Sequence, residues 1–106
     1  MSIATVNSVI QTFAESVREK LGSDIDSITL FGSRARGDDW QGSDYDVAVV
    51  VKQRDQQVEE RVLDAVVEVL DDYEALVSAH VFSLDEWASE MLTPLGRNII
   101  KEGLPV

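Results

Sequence analysis

Residues Ser27 to Val51 read SITLFGSRARGDDWQGSDYDVAVVV, and this stretch decides the fold. Ser27 to Phe31 is β-branched and apolar and runs straight into the turn-rich segment Gly32 to Ser43, so the sequence predicts a strand that delivers a loop. A second strand follows over Asp44 to Val51. Its latter half is continuously apolar, the pattern of a central strand covered on both faces.

Working outward from this unit, Ile3, Val6, Ile10, Phe13, Val17 and Leu21 recur at spacings of three and four, which predicts a helix that Gly22 can end. After the second strand, Val58, Val62, Leu63, Val66, Val67 and Leu70 repeat with a helical period, giving a second helix over Gln53 to Leu70. Leu76 to Phe82 predicts a third strand. Ser83 with Glu86 is a capping-box signature for a helix carrying Leu84, Trp87, Met91 and Leu92, which Pro94 is expected to stop. Trp87 shares a face with Leu84 and Met91, so it is expected in the core. Leu95 to Glu102 predicts a last short helix closed by Gly103 and Pro105. The order helix, strand, loop, strand, helix, strand, helix, helix implies an α/β (α+β) arrangement, a small mixed sheet with helices packed on it.

A chain of 106 residues suits one domain, 1–106, and an apolar share of 44% is ordinary for a packed protein. The absence of cysteine removes disulfides and thiolate chemistry and is compatible with a reducing compartment, so a cytoplasmic location is expected. The longest apolar run, Val47 to Val51, is too short to span a bilayer, and Met1 to Ile10 has no positive residue; no membrane association is expected. With 20 acidic against 9 basic residues, a formal charge of −11, the surface repels phosphate backbones, which argues against nucleic acid as a partner. The same charge suits a basic partner protein or adaptation to high internal salt, two readings that composition does not separate.

Asp44 and Asp46 alternate in a strand, so their side chains project from one face while Tyr45 points to the other. Two like charges side by side are destabilising unless a cation lies between them. Mg²⁺, the cation that prefers such oxygen ligands together with substrate phosphates, could bind there as a pair and stabilise an in-line displacement at phosphorus. Gly32 and Ser33 sit where the first strand turns, and the loop can return them beside the carboxylates. Their backbone N–H groups and the Ser33 hydroxyl suit the terminal phosphates of a nucleoside triphosphate. Arg34 and Arg36 either add charge-assisted phosphate contacts or pair with Asp38, Asp39 or Asp44. Trp40, in a polar loop, suits stacking on a base or packing on the domain equally; Gly37 and Gly42 read as turn residues.

Gly32-Ser33, ten residues, then Asp44-x-Asp46 resembles the signature of the DNA polymerase beta-like nucleotidyltransferase superfamily, and the short chain resembles its minimal (MNT) members. The tail Arg97 to Gly103 is similar to the way those minimal members end. The resemblance implies the polymerase beta-like fold, catalytic roles for Asp44, Asp46 and Ser33, metal binding by Asp44 and Asp46, and nucleotide binding by Gly32, Ser33, Arg34 and Arg36. It further implies an antitoxin, in a hetero-oligomer with a HEPN-family toxin, that uses Mg²⁺ and ATP to attach AMP to a tyrosine hydroxyl of the toxin.

Members of this superfamily usually carry a third carboxylate on a later strand, and here that strand reads Val77, Ser78, Ala79, His80, Val81, Phe82, with Asp71, Asp72 and Glu74 only before it. His80 or Ser78 could face the site, although a single strand histidine is first a packed or surface residue. The missing acid keeps a second function open: an antitoxin that neutralises its toxin by complex formation without chemistry. Modification of a small hydroxylated molecule is less well matched, because no second domain is evident to hold it.

Overall fold

The computed structural model describes residues 3–37 and 44–106, with side chains from residue 8 onward. Helix α1 spans Ile3–Leu21 and is followed by a 3₁₀ turn, Gly22–Asp24; strand β1 is Ile25–Phe31, helix α2 Ser33–Arg36 and strand β2 Tyr45–Val51. Helix α3 is Gln56–Tyr73, β3 Val77–Ser83, α4 Leu84–Glu90, α5 Pro94–Glu102 and β4 Leu104–Pro105. The expected order of elements is present, with additions besides the 3₁₀ turn. Ser33–Arg36 forms a helical turn where a loop was expected, and the chain returns after α5 as β4.

The four strands lie in the order β3-β2-β1-β4. β1 is antiparallel to both β2 and β4, whereas β3 runs parallel to β2, so the sheet is mixed as expected. The β2–β3 connection needs a crossover, and α3 supplies it. Alternation along β2 separates two faces. Tyr45, Val47, Val49 and Val51 enter the larger core with Phe13 and Val17 of α1 and Val62, Ala65 and Val69 of α3. On the opposite face Ala48 joins Phe31 and Ile99, with Phe82 and Trp87 packed against them. Each fully buried valine or phenylalanine stabilises the fold by roughly 1.5–3 kcal/mol relative to exposure. β2, covered on both sides, is the member that this burial protects most.

Element boundaries shift from the sequence expectation for identifiable reasons. α3 starts at Gln56 instead of Gln53 because the Asp55 side chain accepts from the Val58 N–H, and it runs on to Tyr73. β3 ends at Ser83, which then caps α4 in a full capping box with Glu86. Pro94 does more than stop α4: Thr93 caps α5 and Pro94 opens it, where a missing N–H costs nothing. Gly103 caps α5 as expected, while Pro105 lies in β4, at the sheet edge where proline is tolerated.

The helical stripes need correction as well. α3 buries Val58, Val62, Ala65 and Val69, and leaves Leu63, Val67 and Leu70 exposed. On α4 and the turn after it, Leu84, Met91 and Leu92 are exposed, while Trp87 is half-buried against Phe82 with ring centroids 5.4 Å apart. Several cross-links join the helices. Lys20 and Ser16 of α1 both reach Glu68 of α3, at 2.7 and 2.6 Å. Arg54 bridges Glu59 and Glu86 at 2.7 and 2.5 Å, and this contact holds the Glu86 carboxyl down to about 2. No helix among the described residues is long and apolar enough to cross a membrane.

Gly96, buried in α5, sits so close to the end of α4 that a β-carbon would lie 1.8 Å from the Glu90 carbonyl oxygen. Helix propensity alone would make Gly96→Ala stabilising by up to about 1 kcal/mol. The contact reverses the sign, and the substitution should cost about 1–3 kcal/mol in chemical denaturation followed by circular dichroism. An unchanged or higher stability would show that the α4–α5 crossing is looser than described.

Candidate active site

The site is built at the end of β1 and the start of β2. Antiparallel register sets Phe31 opposite Asp46, so the turn that follows Phe31 lies directly beside the first acidic residue of β2. Gly32 has φ 78° and ψ −158°, a region that essentially only glycine occupies. A β-carbon there would also come within 2.5 Å of Asp46 Oδ2. Two independent reasons, backbone angle and lateral space, therefore require glycine at this position. Immediately after it, Ser33 begins α2, whose first turn closes by Ala35 and Arg36 N–H groups donating to the Gly32 carbonyl, each at 3.1 Å.

Asp44 precedes β2 instead of opening it, a one-residue correction that leaves the alternation intact. Its side chain is exposed, and Ser78 Oγ, from the strand residue that pairs with Asp46, lies 3.4 Å from Asp44 Oδ2 as a long hydrogen bond. Asp46 is half-buried. Burial raises its carboxyl above the ordinary aspartate range; the His80 imidazole pulls it down, Asp44 raises it further, and Arg36 opposes the rise. The two carboxylates thus share one face and repel each other there, while Tyr45 between them is buried in the opposite core, as the alternation requires.

The remaining sequence candidates separate. Arg36 remains near the carboxylates and pairs with Glu102 of α5 at 3.0 Å, a partner 66 residues away that no local pattern could reveal. Arg34 is 6% exposed, with its guanidinium 4.2 Å from the centroid of the Tyr45 ring. Stacking on an aromatic face is a favourable way to bury a guanidinium. His80 is half-buried on the carboxylate face, its ring 5.5 Å from that of Phe31. Asp38, Asp39, Trp40 and Gly42 lie outside the described residues.

Among the described residues no third acid, histidine or cysteine joins the pair closely enough to form a three-residue metal cluster. The donor set of Asp44 and Asp46 nevertheless fits a hard divalent cation, because Mg²⁺ is held by one or two carboxylates with substrate phosphates and water completing its shell. The elevated Asp46 carboxyl marks unrelieved charge that such an ion would balance.

The raised carboxyl has a consequence for the unliganded fold. An acid whose pKa is higher folded than unfolded carries a penalty that is absent below the unfolded value, near 3.8, and grows as pH rises towards the folded value. Asp46→Asn should therefore raise Tm of the metal-free protein at pH 7, and the difference from the parent should vanish below about pH 3.8. A destabilised variant at pH 7 would mean that Asp46 is held by favourable partners instead.

Comparison with known proteins places the chain by family and by fold. Residues 11–105 match the family described as Polymerase beta, Nucleotidyltransferase. The chain is 40% identical over 47 residues to the "Putative protein adenylyltransferase MJ1305" of Methanocaldococcus jannaschii, an overlap of 44% of this chain and 32% of that protein. It thus spans about a third of that relative's length. Among solved structures, a toxin-antitoxin crystal structure with AMP-PNP superposes with a TM-score of 0.59 at 19% identity, covering 94% of this chain and 70% of that one. The Shewanella oneidensis tri-AMPylated HEPN toxin in complex with MNT antitoxin gives 0.55 at 18% identity, with coverage of 99% and 71%. These likenesses show a shared polymerase beta-like fold. With the family match extending over nearly all of its residues, the chain belongs to the polymerase beta nucleotidyltransferase family.

Proposed function

We propose that this protein is an MNT-type antitoxin that transfers AMP from ATP to a hydroxyl, that of a tyrosine, on a cognate HEPN toxin and so silences it. The observation that carries the reading is the pairing of Asp44 and Asp46 on one face, with Asp46 set against Gly32 of the turn. The M. jannaschii relative, named for protein adenylylation, and the AMPylated toxin complex of like fold support the same chemistry.

In this reading the Gly32–Ser33 turn and the Ser33 hydroxyl hold the terminal phosphates, and Arg36 adds positive charge from the side of α5. Asp44 and Asp46 hold Mg²⁺, which when bound neutralises the triphosphate and the developing charge of in-line displacement. The acceptor oxygen bonds to the α-phosphorus as the bond from that phosphorus to the α–β bridging oxygen breaks. Pyrophosphate leaves with the electron pair, and the hydroxyl proton passes to solvent. Asp46 is backed against Gly32, which sets the turn and this carboxylate side by side. Such positioning, with charge placed in advance, supplies most of the catalysis in phosphoryl and nucleotidyl transfer.

Incubation with Mg²⁺, labelled ATP and the co-expressed HEPN toxin should label the toxin. An Asp44→Asn/Asp46→Asn variant should reduce labelling by at least 100-fold, on the order of the loss of one or two transition-state contacts. Equal labelling by the two proteins would refute the assignment. Toxin neutralisation by an unlabelled but stable complex would favour an antitoxin that acts by covering its target.

A further inference from the structure

β3 is the outermost strand on its side of the sheet and pairs only with β2 among the described residues. Exposed strand edges are ordinarily blunted by lysine, proline, bulges or brevity. β3 has none of these: its seven residues, VSAHVFS, carry no lysine, no acid and no proline, and its register with β2 is continuous from Val77 to Ser83. Along one side of this edge α3 exposes Leu63, Val67 and Leu70, at 59%, 46% and 44%. Between helix and strand lies a groove of about 320 Å³ whose apolar walls include Leu63, Val66, Ala79 and Val81. On the other side of the same strand, Ser78 and His80 stand beside Asp44 and Asp46.

We propose that the acceptor protein docks an extended segment along the free edge of β3, and that this added strand carries the acceptor hydroxyl to the carboxylate pair. The inference rests on the transferase reading above. Added strands bond through main-chain groups and send alternate side chains to opposite faces, so one set enters the apolar groove and the other faces the site. Ser78 is the pairing partner of Asp46, so a residue added opposite Ser78 lies two strand spacings, about 10 Å, from the Asp46 backbone. A long side chain such as tyrosine bridges that gap towards the carboxylates, and a serine or threonine does not.

Charge selects the occupant. The outer surface of α3 carries Glu60, Asp64, Asp71 and Asp72 around the exposed leucines and valine, beside Glu59, which Arg54 pairs. A second copy of this chain would bring these acids against their equivalents. A segment that is apolar at alternate positions and flanked by lysine or arginine meets both the groove and its rim.

The test uses the intact protein and the co-expressed HEPN toxin, with a Leu63→Glu/Val67→Glu variant whose changed side chains are already exposed. The expected result is that toxin binding slows amide exchange across residues 77–83 of the parent, and that the variant raises KM for the toxin at least tenfold while keeping the MgATP-induced rise in Tm. Unchanged KM together with unprotected β3 amides in the complex would overturn the proposal. So would a dimer of the parent chain in sedimentation that the double variant abolishes, since the face would then be a self-interface. Protection of β3 without any AMP transfer would leave the docking surface standing and sink the transferase reading, which separates the two failures.

Discussion

The architecture of this protein turns on one close approach. Gly32, the first residue past β1, lies so close to Asp46 of β2 that the space for a single methyl group is already filled by a carboxylate oxygen, 2.5 Å from where a β-carbon would be. That contact exists because β1 ends at Phe31, the residue that pairs with Asp46, and because glycine permits the abrupt change of direction that starts α2. It sets the Gly32–Ser33 turn directly beside the Asp46 carboxylate. The rest of the fold can be read as support for that geometry. β2 is buried on both faces, α1 and α3 anchor Tyr45 and the valines from one side, and α5 with Trp87 closes the other.

Concentrating negative charge in this way is unfavourable for the unliganded protein. The Asp46 carboxyl is raised by burial and by Asp44, and only partly offset by His80 and Arg36. Sites that bind charged ligands commonly keep such unfavourable local electrostatics, because the ligand relieves them. Arg36 is itself steadied by Glu102 at the end of α5, so the C-terminal part of the chain, including the β4 strand that follows, is tied to the site from across the fold.

Much of this was legible in the sequence because it depends on short periods. Alternation over Asp44, Tyr45 and Asp46 placed the two acids together and Tyr45 in the core, and the glycine-serine turn announced the end of β1. What escaped depends on contacts between distant residues. Arg34 looked like its neighbour Arg36, yet one is stacked on Tyr45 inside the fold and the other reaches Glu102. The α3 stripe was read one flank too wide: Leu63, Val67 and Leu70 keep the helical period but lie past the edge of β3, with no further strand among the described residues to cover them. β4 is too short to leave a periodic signal at all. The same is true of α2, whose four residues contain arginines that suit a loop equally well.

The central claim is that Asp44 and Asp46 jointly hold a divalent ion only when a triphosphate is seated on the Gly32–Ser33 turn. Titration of Mn²⁺ into the protein with a non-hydrolysable ATP analogue, followed by electron paramagnetic resonance, tests this directly. The parent should take up the ion only with the analogue present, and uptake should be lost in Gly32→Val, where the turn can no longer close on Asp46. Uptake that is absent from the parent, or that persists unchanged in Gly32→Val, would contradict the claim.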